Sequence, residues 1–257
     1  MNADGLNGSD SSQPPQDSVC QRCHGAGWVK HEVEFGHPDF GEAFPCECTK
    51  ATARIQRDVL NRQYCELPPL VRDMTFEGLV LRQDLTPGER RQFADVLHEA
   101  TLFSQGCTTY KWLILGGSKG WGKTHLAVAI LNYRLAHPDS PVGKYANWPE
   151  LLGDLRKGFQ DDTYADRLER YRQAPLLLLD DVGAQYEKRG DGLSWPMEQL
   201  YLLLNHRSLH QMETVVTINV EPTALNDRIA DRLMDTGTGL CKVLTLTIPS
   251  YRSGRVW

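Results

Sequence analysis

The chain has 257 residues, enough for one sizeable α/β domain with a small appendage. Its formal net charge of −5 excludes a wholly basic nucleic-acid coat and confines any DNA contact to a local patch. No apolar run is long enough to span a bilayer, and the seven cysteines, an odd number, argue against a disulfide framework.

Residues 1–18 are polar and rich in Ser, Asp, Asn and Pro, with neither a basic start nor an apolar stretch. That composition predicts a disordered tail rather than a secretory signal, and a cytoplasmic protein. Cys20-x-x-Cys23 then precedes Cys46-x-Cys48, two closely spaced thiol pairs of the kind that suits tetrahedral Zn²⁺. Gly25 and Gly27 free the chain to fold around an ion. So short a segment buries too little core to fold unaided, so metal binding would supply its folding energy. His24, His31 or His37 is an alternative to one thiolate, and a redox pair is the rival reading of C-x-x-C alone. Cys65, Cys107 and Cys241 fall in or beside predicted elements and read as packing residues.

Thr49 to Tyr64 is a predicted helix carrying Lys50, Arg54, Arg57 and Arg62, either a solvated face or a contact for a partner or nucleic acid. Leu67-Pro-Pro-Leu70 ends it and sets a boundary between a module at 19–66 and a second domain at 67–257. Met74 to Leu79 is an extended or turn entry. Thr86-Pro87-Gly-Glu89 has the N-cap, first-turn proline and capping-box glutamate of a helix start, with Phe93, Val96, Leu97, Ala100 and Leu102 as its buried stripe and Gly106 at its end.

The apolar run Trp112 to Leu115 predicts a strand, and it breaks into Gly117-Ser118-Lys119-Gly120-Trp121-Gly122-Lys123-Thr124-His125. From Gly117 the spacing is G-x-x-x-x-G-K-T, a phosphate-binding loop. Its glycines let the backbone turn its N–H groups towards phosphate oxygens. Lys123 brings a positive charge to the β- and γ-phosphates, Thr124 a hydroxyl for Mg²⁺, and the predicted helix Thr124 to Ala136, stopped by Pro138, the positive end of its dipole.

Strands and helices then alternate: a strand at 142–146, helices at 149–159 and 162–173, a strand at 176–181, a helix at 195–210, a strand at 214–220, a helix at 223–234 and a strand at 243–248. This pattern predicts a parallel sheet with helices on both faces, and ligands at the carboxyl ends of its strands. Asp180 and Asp181 follow four leucines at such an end, where Asp180 would hold Mg²⁺ and Asp181 orient or activate the attacking water. Asn219 ends the next strand, placed either to bond water or the γ-phosphate or to cap a turn. Arg228 and Arg232 share a helix face, for local pairing with Asp227 and Asp231 or for a neighbour's γ-phosphate. Arg252 follows the last strand within reach of a nucleotide. Lys144, Tyr145, Arg156, Lys157 and Phe159 mix basic and aromatic groups, suiting either a single-stranded DNA groove or an ordinary sheet edge and helix surface.

Together these segments resemble the AAA+ ATPases, and more narrowly the DnaC/DnaI-type replicative helicase loaders. The likeness rests on the two cysteine pairs, Thr75-Phe76-Glu77, Gly117 to Ala127, Leu178 to Gly183, Asn205-His-Arg207, Asp227 to Leu233 and Ser250-Tyr-Arg252. It implies a P-loop AAA+ fold without a full C-terminal lid, and ATP, Mg²⁺ and Zn²⁺ as ligands. Lys123 and Thr124 would be Walker A, Asp180 and Asp181 Walker B, Asn219 sensor 1, Arg232 the arginine finger and Arg252 sensor 2. The zinc module would grip a hexameric DnaB-type helicase, and the ATPase domain would bind single-stranded DNA and self-associate through the ATP site. ATP hydrolysis would then time helicase release. A transposition helper ATPase resembling IstB is the alternative. The charged, glycine-rich insert Tyr186 to Gly192 has no assigned role.

Overall fold

A computed structural model describes residues 19–79, 83–137, 140–183, 194–220 and 225–251. The tail 1–18, Pro138, the 186–192 insert, Thr223 and Arg252 lie outside the described residues. The chain divides into two compact units, Met1–Val59 and Leu60–Trp257.

In the first unit two three-residue strands, β1 (Trp28–Lys30) and β2 (Ala43–Pro45), pair antiparallel with Trp28 opposite Pro45. Strands this short carry no periodic signal, so the sequence did not predict them. Helix α1 (Glu47–Cys65) follows at once. Its first turn carries Glu47, suited to the positive helix end, and its last turn carries Arg62 at the negative end.

The second unit is a five-stranded sheet between helices. Its elements are α2 (Pro87–Ser104), β3 (Trp112–Gly117), α3 (Lys123–Ala136), β4 (Gly143–Asn147), α4 (Trp148–Gly158), α5 (Tyr164–Arg172), β5 (Leu176–Val182), α6 (Trp195–Leu209), β6 (Glu213–Ile218), α7 (Asp227–Leu233) and β7 (Cys241–Leu246). The strand order is β4-β5-β6-β3-β7, every pairing parallel. Alternate strand residues face opposite ways, so each strand feeds two cores. Leu113, Leu115, Leu176, Leu178 and Val215 pack in one core with Phe93, Val96 and Phe103 of α2 and Ile130 and Leu131 of α3. Trp112, Ile114, Leu177, Leu179 and Val216 pack in the other with residues of α4, α5, α6 and α7. Both-faced burial explains why these strands read as unbroken apolar runs.

Helix α2 starts as its sequence requires: Thr86 accepts from the Glu89 backbone N–H, and the Glu89 carboxylate accepts from the Thr86 N–H at 2.7 Å. Its buried stripe is Phe93, Val96, Ala100 and Phe103, with Phe103 in the place expected for Leu102 because 3.6-residue periodicity carries 96 and 100 on to 103. The last helix is shorter than expected, beginning at Asp227 after an Asn226 cap whose side chain accepts from the Arg228 N–H. Strand β5 takes in Asp180 and Asp181 as expected and ends one residue later, at Val182. Cys65 and Cys241 are buried, and burial pushes both thiols up to about 12, whereas Cys107 is exposed and is not a packing residue.

Arg207 of α6 is fully buried. Its Nε donates to Thr214 Oγ1 at 3.0 Å, Nη1 to the carbonyls of Tyr171, Arg172 and Ala174, and Nη2 to that of Glu213. The guanidinium thus ties the end of α5 and the entries to β5 and β6 to α6, and burial lowers its pKa to about 10. Arg207→Ala would strand several buried acceptors, each costing on the order of 1–3 kcal/mol. Urea unfolding of that variant is expected to show a loss of at least about 3 kcal/mol, well above a surface Arg substitution.

Candidate functional site

The carboxyl ends of β3, β4, β5 and β6 converge on Asp180. β5 and β6 pair up to Leu179↔Val216, so Thr217 follows at the level of Asp180, whereas on β4 Asn147 pairs with Asp180 and Tyr145, opposite Leu178, reaches the carboxylate through the length of its side chain. Asp180 is 4% exposed. A carboxylate so buried requires hydrogen bonds, and three hydroxyls supply them. Thr124 Oγ1 of α3 donates to it at 2.9 Å, Thr217 Oγ1 of β6 to Oδ1 at 2.6 Å, and Tyr145 OH of β4 to Oδ2 at 3.2 Å. Burial and the Asp180 charge together raise the Tyr145 pKa and keep its proton in place.

Asp181 sits at a register shift between Leu179 and Val182, with a left-handed φ of 62°. Such a backbone is uncommon for a non-glycine residue and points to local constraint. The constraint is visible: its N–H donates to Thr217 Oγ1 at 2.9 Å, and its carboxylate accepts from Asn219 Nδ2. Asn219 itself is anchored by its N–H on the Val182 carbonyl.

The glycine loop lies against β7 and the chain beyond it. A Cβ on Gly117 (φ 97°) would fall 2.1 Å from the Leu246 carbonyl oxygen, and one on Gly120 (φ 80°) 1.9 Å from Ser250 Oγ. Ser118 Oγ donates to the Ile248 carbonyl and the Tyr251 N–H to the Gly120 carbonyl, both at 2.8 Å. Two of the glycines are therefore required by close packing as much as by a ligand. Lys123 is buried and its Nζ donates to the Gly117 and Ser118 carbonyls at 3.2 and 2.8 Å. Lys119 is exposed. The Trp121 ring is buried in the core with its indole N–H on the Gly116 carbonyl, so only its main chain belongs to the loop surface. His125 Nε2 bonds the Thr75 carbonyl at 2.8 Å, and its ring lies 3.4 Å from where a Gly78 Cβ would be, which fastens the Met74–Leu79 segment beside the loop.

The structure thus brings Lys123, Thr124, Asp180, Asp181 and Asn219 together. It does not bring Arg232 to them: its Nη2 donates to Asn205 of α6 and its Nη1 pairs with the neighbouring Asp231. Arg228 is exposed on the same helix. No local signal in the sequence marks Thr217 as a neighbour of Asp180, and Tyr145 reads there as a DNA contact or a sheet-edge residue. β6 (Glu213–Ile218) is rich in β-branched residues, which hides the Thr217 hydroxyl among side chains suited to sheet packing. Lys144 and Tyr145 lie on β4, an edge strand of the sheet: Lys144 is 2% exposed, ion-paired with Glu66 at 3.0 Å and set over the Tyr64 and Tyr171 rings, and Tyr145 is 7% exposed and lines a cavity with Asn147, Glu150 and Tyr171. Arg156, Lys157 and Phe159 are exposed, with Arg156 over Trp195 and Phe159 stacked on Tyr164.

In the first unit, the β1–β2 hairpin brings the cysteine pairs together. The Cys46 N–H and Thr49 Oγ1 both donate to the Gly27 carbonyl at 2.8 Å, locking the second pair to the glycine turn after the first. The four sulfurs lie within 4.8 Å of one another, with Cys20–Cys46 at 3.9 Å and Cys23–Cys48 at 3.5 Å. Zn–S bonds of about 2.3 Å demand an S···S edge of about 3.8 Å, so this donor set fits a tetrahedral zinc ion. Backbone N–H groups of Cys23 and Arg22 lower the Cys20 thiol to about 6, while the neighbouring Cys23 and Cys46 sulfurs push Cys48 up to about 12. Of the rival ligands, His31 and His37 turn to Asp39 instead, at 3.7 and 3.9 Å.

Among known protein families, residues 71–240 match the bacterial DnaA ATPase domain. The chromosomal replication initiator protein DnaA of Neisseria meningitidis is 31% identical over 187 residues, covering 71% of this chain and 33% of that protein. The chain thus spans about a third of the length of the curated relatives it matches. The replicative helicase loader DnaI of Bacillus subtilis is 32% identical over 116 residues, 45% of this chain and 35% of that protein. A crystal structure of DnaI matches with a TM-score of 0.55 at 25% identity, covering 71% of this chain and 95% of that one. The cysteine pairs precede the family match.

Two glycine substitutions separate loop packing from helix propensity. Gly117→Ala is expected to lower stability by about 2 kcal/mol or more, through overlap with β7 and a left-handed φ. Gly153→Ala, mid-helix in α4 with nothing within 4 Å of its Cβ, is expected to raise stability by about 0.5–1 kcal/mol. Thermal unfolding of the two variants against the parent checks both signs.

Proposed function

The chain belongs to the family of the bacterial DnaA ATPase domain, a replication-related AAA+ ATPase, and on that premise we propose that it is a cytoplasmic loader for a hexameric DnaB-type helicase. In this reading its ATP hydrolysis times helicase release onto single-stranded DNA. The observation that carries the loader reading is the four-cysteine cluster in a separate compact unit ahead of the ATPase fold. The likeness to DnaI supports it. An initiator of the DnaA type is the second reading, favoured by the family match and by the longer DnaA alignment.

In the proposed ATPase site Lys123 exchanges the Gly117 and Ser118 carbonyls for β- and γ-phosphate oxygens. Gly117 to His125 wraps the phosphates. Thr124 and Asp180, hydrogen-bonded at 2.9 Å, are the hydroxyl and carboxylate that would hold Mg²⁺. When bound, Mg²⁺ neutralises charge on the β- and γ-phosphates. Asp181, oriented by Asn219, positions the attacking water. Arg232, paired away from its own loop, serves as the finger for a neighbouring subunit's γ-phosphate, which makes self-association part of the site. Arg252, outside the described residues, keeps the sensor role its sequence suggests. The exposed Arg156, Lys157 and Phe159 are the proposed single-stranded DNA contacts.

In domain terms we assign 1–18 to a tail, 19–66 to a zinc-binding, helicase-gripping module with its linking helix, and 67–257 to the ATPase. Capture of a DnaB-type hexamer by the full chain tests the loader reading. Capture is expected with zinc present and lost when a chelator strips it, with loss of the first unit's circular dichroism. No capture by the zinc-loaded protein, together with binding to a duplex origin, decides for the initiator. Filaments on duplex DNA without origin preference decide for the transposition helper.

Turnover divides the roles further. Lys123→Ala is expected to lower ATP hydrolysis by about 100-fold or more. Arg232→Ala is expected to leave nucleotide affinity intact and abolish turnover. Mixing Arg232→Ala with Lys123→Ala protomers is expected to restore part of it, since each supplies the half-site that the other lacks.

A further inference from the structure

Asp180 is held by three hydroxyls, and they are not equivalent. Thr124 belongs to the glycine loop's helix and has a second duty towards the metal in the proposed site. Thr217 and Tyr145 have none, and each takes its own carboxylate oxygen, Thr217 on Oδ1 at 2.6 Å and Tyr145 on Oδ2 at 3.2 Å. Their proton directions are fixed. Thr217 Oγ1 accepts the Asp181 N–H at 2.9 Å, which turns its own proton towards Asp180. A phenol facing a carboxylate can only donate to it. Thr217 is 1% and Tyr145 7% exposed, so water does not compete well for either bond. The two come from opposite sides, β6 and β4, onto the end of β5.

We propose that Thr217 and Tyr145 are positioning residues that clamp Asp180 by one hydroxyl on each oxygen. They fix the plane of the carboxylate as it faces Mg²⁺ while Thr124 is free to leave it. The proposal rests on the Mg²⁺·ATP reading of the site. Thr217 carries a second connection, since it also bonds the backbone of Asp181, whose carboxylate is held by Asn219. One threonine hydroxyl thereby sets the metal-facing carboxylate and the water-facing one relative to each other.

The test is metal affinity without turnover. Mn²⁺ binding is followed by electron paramagnetic resonance in the presence of a non-hydrolysable ATP analogue, for the parent and for Thr217→Val, Tyr145→Phe and Thr217→Ser. Loss of an outer partner of a metal ligand typically weakens metal binding by about 10- to 100-fold. Thr217→Val and Tyr145→Phe are expected to fall in that range, while affinity for the metal-free analogue changes less than about twofold. Thr217→Ser keeps the hydroxyl and is expected to match the parent. Both hydroxyl deletions are near-isosteric, and circular dichroism identifies the folded variants. If one fails to fold, the other decides. A folded deletion variant with parental Mn²⁺ affinity overturns the clamp, as does a Thr217→Ser variant as weak as Thr217→Val. If the parent itself binds no Mn²⁺ with the analogue, the Mg²⁺·ATP reading fails, a result distinct from failure of the clamp.

Discussion

A carboxylate carried into a protein interior must be met by donors, and Asp180 is the point where this requirement organises the domain. It lies at the end of a strand with four leucines behind it, 4% exposed, with hydroxyls from α3, β4 and β6 closing on it. None of those hydroxyls is near it in sequence. They arrive because five parallel strands, in register, bring their carboxyl ends to one edge. The apolar cores on both sheet faces hold that register, since a one-residue slip would turn every buried leucine to the opposite face. Hydrophobic packing thus fixes the frame and hydrogen bonding fixes the orientation within it.

The glycine loop is shaped by two demands. Its backbone turns with positive φ at Gly117, Gly120 and Gly122, as a phosphate cradle needs. It also lies against Leu246 and Ser250 so closely that a side chain at Gly117 or Gly120 has no room. Sequence motifs present the first demand alone. The second makes β7 and the chain following it part of the loop's support, so the last strand of the sheet contributes to the site without giving it a catalytic side chain.

Much of this was legible in the chain. The unbroken apolar runs at 112–115 and 176–179 announced strands buried on two faces, and the Thr86–Glu89 capping box announced α2 to the residue. The G-x-x-x-x-G-K-T spacing and the acidic pair after four leucines identified the site because short-range backbone chemistry dictates them. The paired cysteines announced their own convergence, since thiols at such spacings come together around a common centre. What escaped had no local signature. The strands at 28–30 and 43–45 are too short for a pattern, and Cys107 looked like a packing residue although it is exposed just past α2. Lys144 and Tyr145, a basic and an aromatic residue side by side, fit a nucleic-acid groove or a sheet edge equally in sequence; they are buried groups of the edge strand β4, one neutralised by Glu66 and the other bonded to Asp180.

The sequence by itself therefore determined the layered α/β architecture, the phosphate loop, the position of the two aspartates and the cysteine set, because each is written in spacing over a few residues. Tertiary structure alone decided which hydroxyls hold Asp180, that Asn219 holds Asp181, that Arg207 ties the strand entries together and that Arg232 turns away from its own loop. The reason is physical. The longer of those bonds join residues 27 to 56 positions apart, and only sheet register and helix packing bring such residues within hydrogen-bond distance.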